Sequence, residues 1–215
     1  RCIIPVSLFG LCAYMDEINK IAAEHGILVI EDAACGLGTN REGCHAGTEA
    51  LAGVFSFHPR KSITTGEGGM LVVKNQKMAE IIPMLRHNDH CGYDFERQHY
   101  WLPAMGNVDL PVLNGETLWP NNYCLGEIEC ALGVKLLNRI DEINGQKRRR
   151  AMQFIDAMEE HSQLEFHQEE SERHNYHLLV ARVTNGQRDI IMVKMAEAGV
   201  QCVVQYYPLN RYDLY

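Results

Sequence analysis

The residues Ile27-Leu28-Val29-Ile30-Glu31-Asp32-Ala33-Ala34 decide how this chain is read. Four consecutive aliphatic side chains make a run that is apolar on both faces and too short for an ordinary helix, the pattern of a strand buried in a parallel sheet. An acidic pair closes the run. Sheets of this kind place ligands just outside the carboxyl ends of their strands, so Glu31 and Asp32 fall where a site is expected. Taken alone, Asp32 reads first as a helix cap or a loop ion pair.

Working outward, the pattern predicts a short strand at 3–6 and a helix over about 14–25, whose Ile18, Ile21 and Ala22 recur at helical spacing. Val54-Phe55-Ser56-Phe57 and Met70-Leu71-Val72-Val73 read as further strands, and Gly66-Glu67-Gly68-Gly69 between them reads as a turn. Helix resumes over 75–86. Residues 87–122 show no clean periodicity and read as a long functional loop. A long helix is expected from Leu125 to Glu160, with Ile128, Ala131, Leu132, Leu136, Ile140 and Ile143 on one stripe and Gly145 as its weak point. It is expected to bridge two domains. Strands at 164–167, 176–183 and 200–205 and a helix over 188–198 complete an alternation that predicts α/β layers.

Composition narrows the possibilities. The chain has 215 residues, of which 46% are apolar and 22% charged, enough for a sizeable core. Its apolar runs fall far short of the roughly 20 residues that a membrane-spanning helix needs. A net charge of −8 argues against a nucleic-acid partner. Eight cysteines without a CxxC pair read as reduced thiols, and with no secretory segment visible they point to the cytoplasm. Arg1 and Tyr215 read as positions within a fold, so a longer protein is expected.

A second stretch carries chemistry. Ser56-Phe57-His58-Pro59-Arg60-Lys61 follows a strand, and Thr64-Thr65 leads directly into the glycine turn. A lone loop lysine is usually solvated. Here hydroxyl, imidazole, lysine and turn crowd together, an environment in which a lysine can lose solvent, lower its pKa and form a Schiff base.

Together, Glu31-Asp32-Ala33-Ala34, Gly53 to Phe57, His58-Pro59-Arg60-Lys61 and Gly66-Glu67-Gly68-Gly69 resemble the DegT/StrS family of sugar aminotransferases. The resemblance extends to Pro5-Val6-Ser7-Leu8-Phe9-Gly10 and to Asn122-Tyr123-Cys124-Leu125-Gly126-Glu127-Ile128-Glu129-Cys130-Ala131. It also takes in His177 to Arg182 and Tyr206-Tyr207-Pro208, and so covers nearly the whole chain. It implies an α/β fold of the aspartate-aminotransferase type, pyridoxal phosphate fold type I. A large domain with a mixed, mostly parallel sheet would include residues 1–140, and part of a smaller α+β domain would occupy 141–215.

The resemblance implies that Lys61 holds pyridoxal 5′-phosphate as an internal aldimine and then shuttles the proton as general base. Asp32 would pair with the pyridine nitrogen and Ser56 with the phosphate. Asn122 would reach the cofactor of a neighbouring subunit, which makes a homodimer with shared active sites the expected assembly. Cys35 stands where the family usually has Gln or His packed over the ring; a thiol can cover the ring but cannot donate the same hydrogen bonds. Cys124 replaces a common basic residue, and the loop from Tyr93 to Asn122 is longer than usual. The phosphate loop expected upstream is not in these residues.

Other signals carry less. His87, Asp89, His90 and His99 lack a third ligand at a standard spacing, and no metal site is expected. His167 and His174 flank the acidic run 169–172, read as a surface turn. Lys147-Arg148-Arg149-Arg150 reads as a solvated helix face or one bridged to acidic neighbours, in preference to a phosphate site. Met152 and Met158 read as core, and the remaining cysteines as small apolar residues.

The function expected is transfer of an amino group, with glutamate as donor, to a keto carbon of a nucleotide-linked deoxysugar. The rivals are a dehydratase of the same family, a cysteine desulfurase of the same fold type and a non-catalytic sensor. Dehydratase branches replace the lysine with histidine, and Lys61 argues against that reading.

Overall fold

The computed structural model describes residues 1–87, 112–113, 115–167 and 173–214. Most of the 87–122 loop, including Asp89, His90, Cys91 and His99, lies outside the described residues, as does the acidic run 169–172.

Ten strands and five helices are described: β1 Cys2–Ile3, α1 Met15–Glu24, β2 Leu28–Asp32, β3 Asn40–Arg41, β4 Cys44–His45, β5 Ala52–Ser56, β6 Gly69–Val73, α2 Gln76–Arg86, β7 Val112–Leu113, β8 Glu116–Thr117, α3 Glu127–Leu137, α4 Ile140–Ala157, β9 Leu164–Phe166, β10 Ala181–Val183 and α5 Arg188–Glu197. They fall into two compact units, Arg1–Met152 with Glu169–Leu179, and Gln153–Gln168 with Val180–Tyr215. The boundary lies inside α4. Among the described residues no helix is long and apolar enough to cross a membrane.

The main sheet of the first unit runs β1-β2-β5-β6. β1, β2 and β5 are parallel, with Ile30 opposite Ala52 and Asp32 opposite Val54, and β6 returns antiparallel to β5. The sheet is therefore mixed and mostly parallel, as expected. α1 begins with Asp16 and Glu17, whose charges suit a helix N-terminus, and it buries Met15 and Ala22 against Val29 and Ala50. α2 starts at Asn75, whose side chain accepts a hydrogen bond from the Met78 N–H at 3.0 Å.

On the carboxyl-end side, Ala33, Ala46, Phe55, Phe57 and Ile63 are buried together, with Leu136, Ile140 and Ile143 packed on them. Burying a phenylalanine such as Phe55 contributes about 2 kcal/mol. Glu31 is fully buried within this unit, and its carboxylate accepts from Ser7 Oγ and from the Gly47 N–H, both at 2.7 Å. Two buried donors from distant segments are satisfied by one side chain. β5 can carry only glycine at 53, because a Cβ there would lie 2.0 Å from the Gly47 carbonyl oxygen.

The long helix expected from 125 to 160 is two helices. The break falls at Asn138 and Arg139, and not at Gly145, which sits inside α4. Asn138 is a poor helix former, and the Arg139 N–H bonds back only to Leu136, tightening the last turn. Asp141 and Glu142 then open α4, with Arg139 pairing to Glu142 at 3.0 Å.

In the second unit β9 and β10 pair antiparallel, Arg182 opposite Glu165. Phe154 and Phe166 meet edge to face, 6.0 Å apart. The strand expected over 176–183 reduces to Ala181–Val183, and residues 173–179 belong to the first unit instead. Residues 200–205 do not form the expected strand. Val200, Val203 and Val204 have β-forming side chains, but among the described residues no strand pairs with them and all three are exposed.

Candidate active site

Asp32 ends β2 and Ser56 ends β5, so the two stand at the carboxyl ends of neighbouring parallel strands. The Asp32 backbone is fixed on both sides: its N–H donates to the Pro5 carbonyl and its carbonyl accepts from Ser7, each at 2.9 Å. Its Oδ1 accepts from the Ala34 N–H at 3.0 Å, forming the local turn that short acidic side chains favour.

After Ser56 the chain loops out and is pinned at its base. The Phe57 N–H donates to Gly68 at 2.8 Å, Thr65 donates back to Phe57 at 3.2 Å, and Thr64 Oγ1 donates to the same Phe57 carbonyl at 3.0 Å. Gly68 adopts φ +139°, which only glycine takes without strain. Phe57 and Ile63 are buried beneath the loop. Lys61 in this loop is half-buried, and its Nζ donates to Cys35 Sγ at 3.3 Å. Lys61, Cys35, Asp32 and Ser56 thus come from two loops over one end of the sheet.

Two further segments close on this place. The Asn175 side chain is fully buried and donates to the carbonyls of Cys35 at 2.9 Å and Leu37 at 3.1 Å, while its Oδ1 accepts from the His177 N–H at 2.8 Å. Lys147, on α4, donates to Ser62 Oγ at 2.8 Å. Burial lowers the pKa of Lys147, and Cys35 opposes that shift. The His177 pKa is pushed down to about 4, first by burial and then by the Lys147 and Lys61 charges. Lys147 thus meets the residue that follows Lys61, and the charges of both lysines act on His177.

Sequence reading missed Lys147, His177 and Asn175 as parts of this place. The basic run was expected to be a solvated face, and only Arg149 and Arg150 are exposed in that way. Lys147 turns inward, and Arg148 donates to the His174 carbonyl at 3.2 Å. A signal was present: Leu136, Ile140, Ile143 and Lys147 recur at helical spacing, so Lys147 continues the core-facing stripe.

Asn122 is not brought into the cluster. It is exposed, pairs in an isolated antiparallel bridge with His87, and accepts from the Cys124 N–H at 3.2 Å. Cys124 is exposed as well.

A reactive amine, a carboxylate and a hydroxyl over one sheet end are the donor set that suits a phosphorylated pyridine aldehyde. The amine can bond the aldehyde, the carboxylate can face a protonated ring nitrogen, and the hydroxyl can bind phosphate. The residues present fit that group.

The chain matches the DegT/DnrJ/EryC1/StrS aminotransferase family over residues 1–215, and it belongs to that family. Its fold is that of pyridoxal phosphate fold type I, whose cofactor is pyridoxal 5′-phosphate. Among solved structures it is similar to a DegT DnrJ EryC1 StrS aminotransferase from Brucella abortus, with 23% identity, a TM-score of 0.81, and 99% of this chain and 52% of that one covered. It is also similar to Helicobacter pylori PseC, an aminotransferase involved in the biosynthesis of pseudoaminic acid, with 23% identity, a TM-score of 0.80, and 99% and 54% covered. A third is E. coli GDP-4-keto-6-deoxy-D-mannose-3-dehydratase with bound hydrated PLP, at 24% identity, a TM-score of 0.73, and 94% and 52% covered. The chain spans about half the length of these structures.

Proposed function

We propose that this chain carries the cofactor-binding part of an aminotransferase that moves an amino group, from glutamate, to a keto carbon of a nucleotide-linked deoxysugar. The observation that carries the reading is the Lys61 amine against Cys35, over the strand ends that bear Asp32 and Ser56. Membership of an aminotransferase family supports it. A dehydratase shares the fold. What favours transamination is the lysine at position 61.

Pyridoxal phosphate supplies an aldehyde that bonds amines covalently and a ring that accepts the electrons released when a neighbouring C–H bond breaks. Lys61 would bond that aldehyde and, once displaced by the donor amine, its freed amine would take the proton from the donor carbon and return it to the former aldehyde carbon on the other side of the shared nitrogen. Asp32 would hold the proton on the ring nitrogen, since a carboxylate beside it favours the charged form. Ser56 would donate to the phosphate. Cys35, in contact with the Lys61 amine, would cover the ring as a small polarizable group. Asn122, which stands apart from its own cluster, serves the site of a second copy, so the working unit is a homodimer. The enzyme works in the cytoplasm.

The test is the donor half-reaction on the protein loaded with pyridoxal phosphate. Addition of glutamate is expected to convert the cofactor's absorption from the aldehyde to the amine form and to release 2-oxoglutarate, and Lys61→Ala is expected to abolish both. A cofactor-loaded protein that no amino acid converts would exclude transamination.

A further inference from the structure

The contacts of α4 around the lysine loop form an arrangement that the proposed chemistry above does not use. Asn144, Lys147 and Arg148 lie on one face of the helix, as spacings of three and four residues dictate. Asn144 Nδ2 donates to the Leu37 carbonyl at 3.0 Å, Lys147 Nζ to Ser62 Oγ at 2.8 Å, and Arg148 Nε to the His174 carbonyl at 3.2 Å. One helix face thus grips the loop after β2, the lysine loop and the segment carrying His177. The Lys147 ammonium is held in place between them.

Its charge has no counterpart. Among the described residues no ion pair includes Lys147 or Lys61. The ionisable groups that interact with Lys147 are Cys35 from the loop after β2 and His177 from the 173–179 segment, and Lys61 is next in sequence to its partner Ser62. None is a carboxylate. An ammonium has three protons to donate, and the hydroxyl of Ser62 takes one. A half-buried cation left without an anion is costly, and an incoming oxyanion would remove that cost.

We propose that Lys147 is the binding residue for the carboxylate of the amino-group donor. The inference rests on the aminotransferase reading. In that chemistry the donor amine displaces Lys61, and the donor carboxylate is one bond from the carbon whose proton Lys61 removes. A cation serving that carboxylate must therefore stand beside Lys61. Lys147 does so: its Nζ is 2.8 Å from Ser62 Oγ, the residue that follows Lys61, on the same loop whose Lys61 amine meets Cys35. The other oxyanion in the reaction, the cofactor phosphate, belongs with Ser56 at the base of the loop.

The test uses glutarate, which has the carboxylates of glutamate and no amine to react. Its binding to the pyridoxal phosphate-loaded protein is measured by calorimetry at constant ionic strength. Lys147→Gln keeps a donor for Ser62 and removes the charge, and it is expected to weaken glutarate about tenfold or more. Lys147→Arg keeps the charge and is expected to stay close to wild type. Borohydride trapping of pyridoxal phosphate on Lys61 is expected to be equal in all three proteins. Unchanged glutarate affinity in Lys147→Gln overturns the proposal. So does a variant that loses cofactor trapping and keeps glutarate, because Lys147 would then serve the phosphate. Wild-type protein that traps no cofactor on Lys61 would instead overturn the reading beneath it.

Discussion

Lys61 Nζ lies 3.3 Å from Cys35 Sγ, although 26 positions separate the two residues. The contact joins the loop after β2 to the loop after β5, and each loop is independently pinned. Cys35 is held through its carbonyl by Asn175, and the lysine loop is closed at Phe57 and Gly68. The amine and the thiol are thus placed by backbone hydrogen bonds and by buried Phe57 and Ile63 beneath them.

A cofactor bonded to Lys61 would cover Cys35. Alkylation of Cys35 by iodoacetamide, followed by peptide mass spectrometry, is expected to slow several-fold when pyridoxal phosphate is present. Alkylation of the exposed Cys2, Cys130 and Cys202 is expected to be unaffected. Equal Cys35 rates with and without cofactor would separate the thiol from the cofactor.

The buried Glu31 carboxylate supports the same strand end from behind. Glu31→Ala leaves the Ser7 hydroxyl and the Gly47 N–H without their acceptor, and should cost about 3 kcal/mol in urea unfolding. Glu31→Gln can still accept from Gly47 and donate to Ser7, and should cost about 1 kcal/mol. A loss in Glu31→Ala no larger than that of a surface substitution would remove Glu31 from the account.

His177 gives the first unit a pH dependence of definite sign. Its pKa is about 4 in the native protein against an ordinary 6.5, because burial and the Lys147 and Lys61 charges disfavour the imidazolium. Between those values the unfolded chain binds the extra proton, so this contribution is complete above about 6.5 and is lost as pH falls toward 4. His177→Gln is expected to flatten that part of the profile in urea titrations across the window. Parallel wild-type and variant profiles would show that His177 titrates normally.

The strands around the site were legible because each is a short run ended by chemistry. The aliphatic run before Glu31 and the Val54–Phe57 run both fall within two residues of their places. The motif residues Asp32, Cys35, Ser56 and Lys61 could be named as a set through the family resemblance, whose motifs follow those strand ends directly. Contacts between distant segments were not legible. Nothing near Asn175 or His177 in sequence says that they fold onto the loop after β2, and Lys147 was hidden by the three arginines that follow it. Local pattern also failed where tertiary pairing decides, as at residues 200–205, which have strand-forming side chains and no partner strand among the described residues.

Lys61 is the residue proposed to bond pyridoxal phosphate. The direct measurement is to add the cofactor, reduce with borohydride, and map the modified peptide by mass spectrometry. The expected result is a single reduced adduct on Lys61 that Lys61→Ala removes. Labelling spread over surface lysines, or placed on another lysine with Lys61 unmodified, would contradict the account.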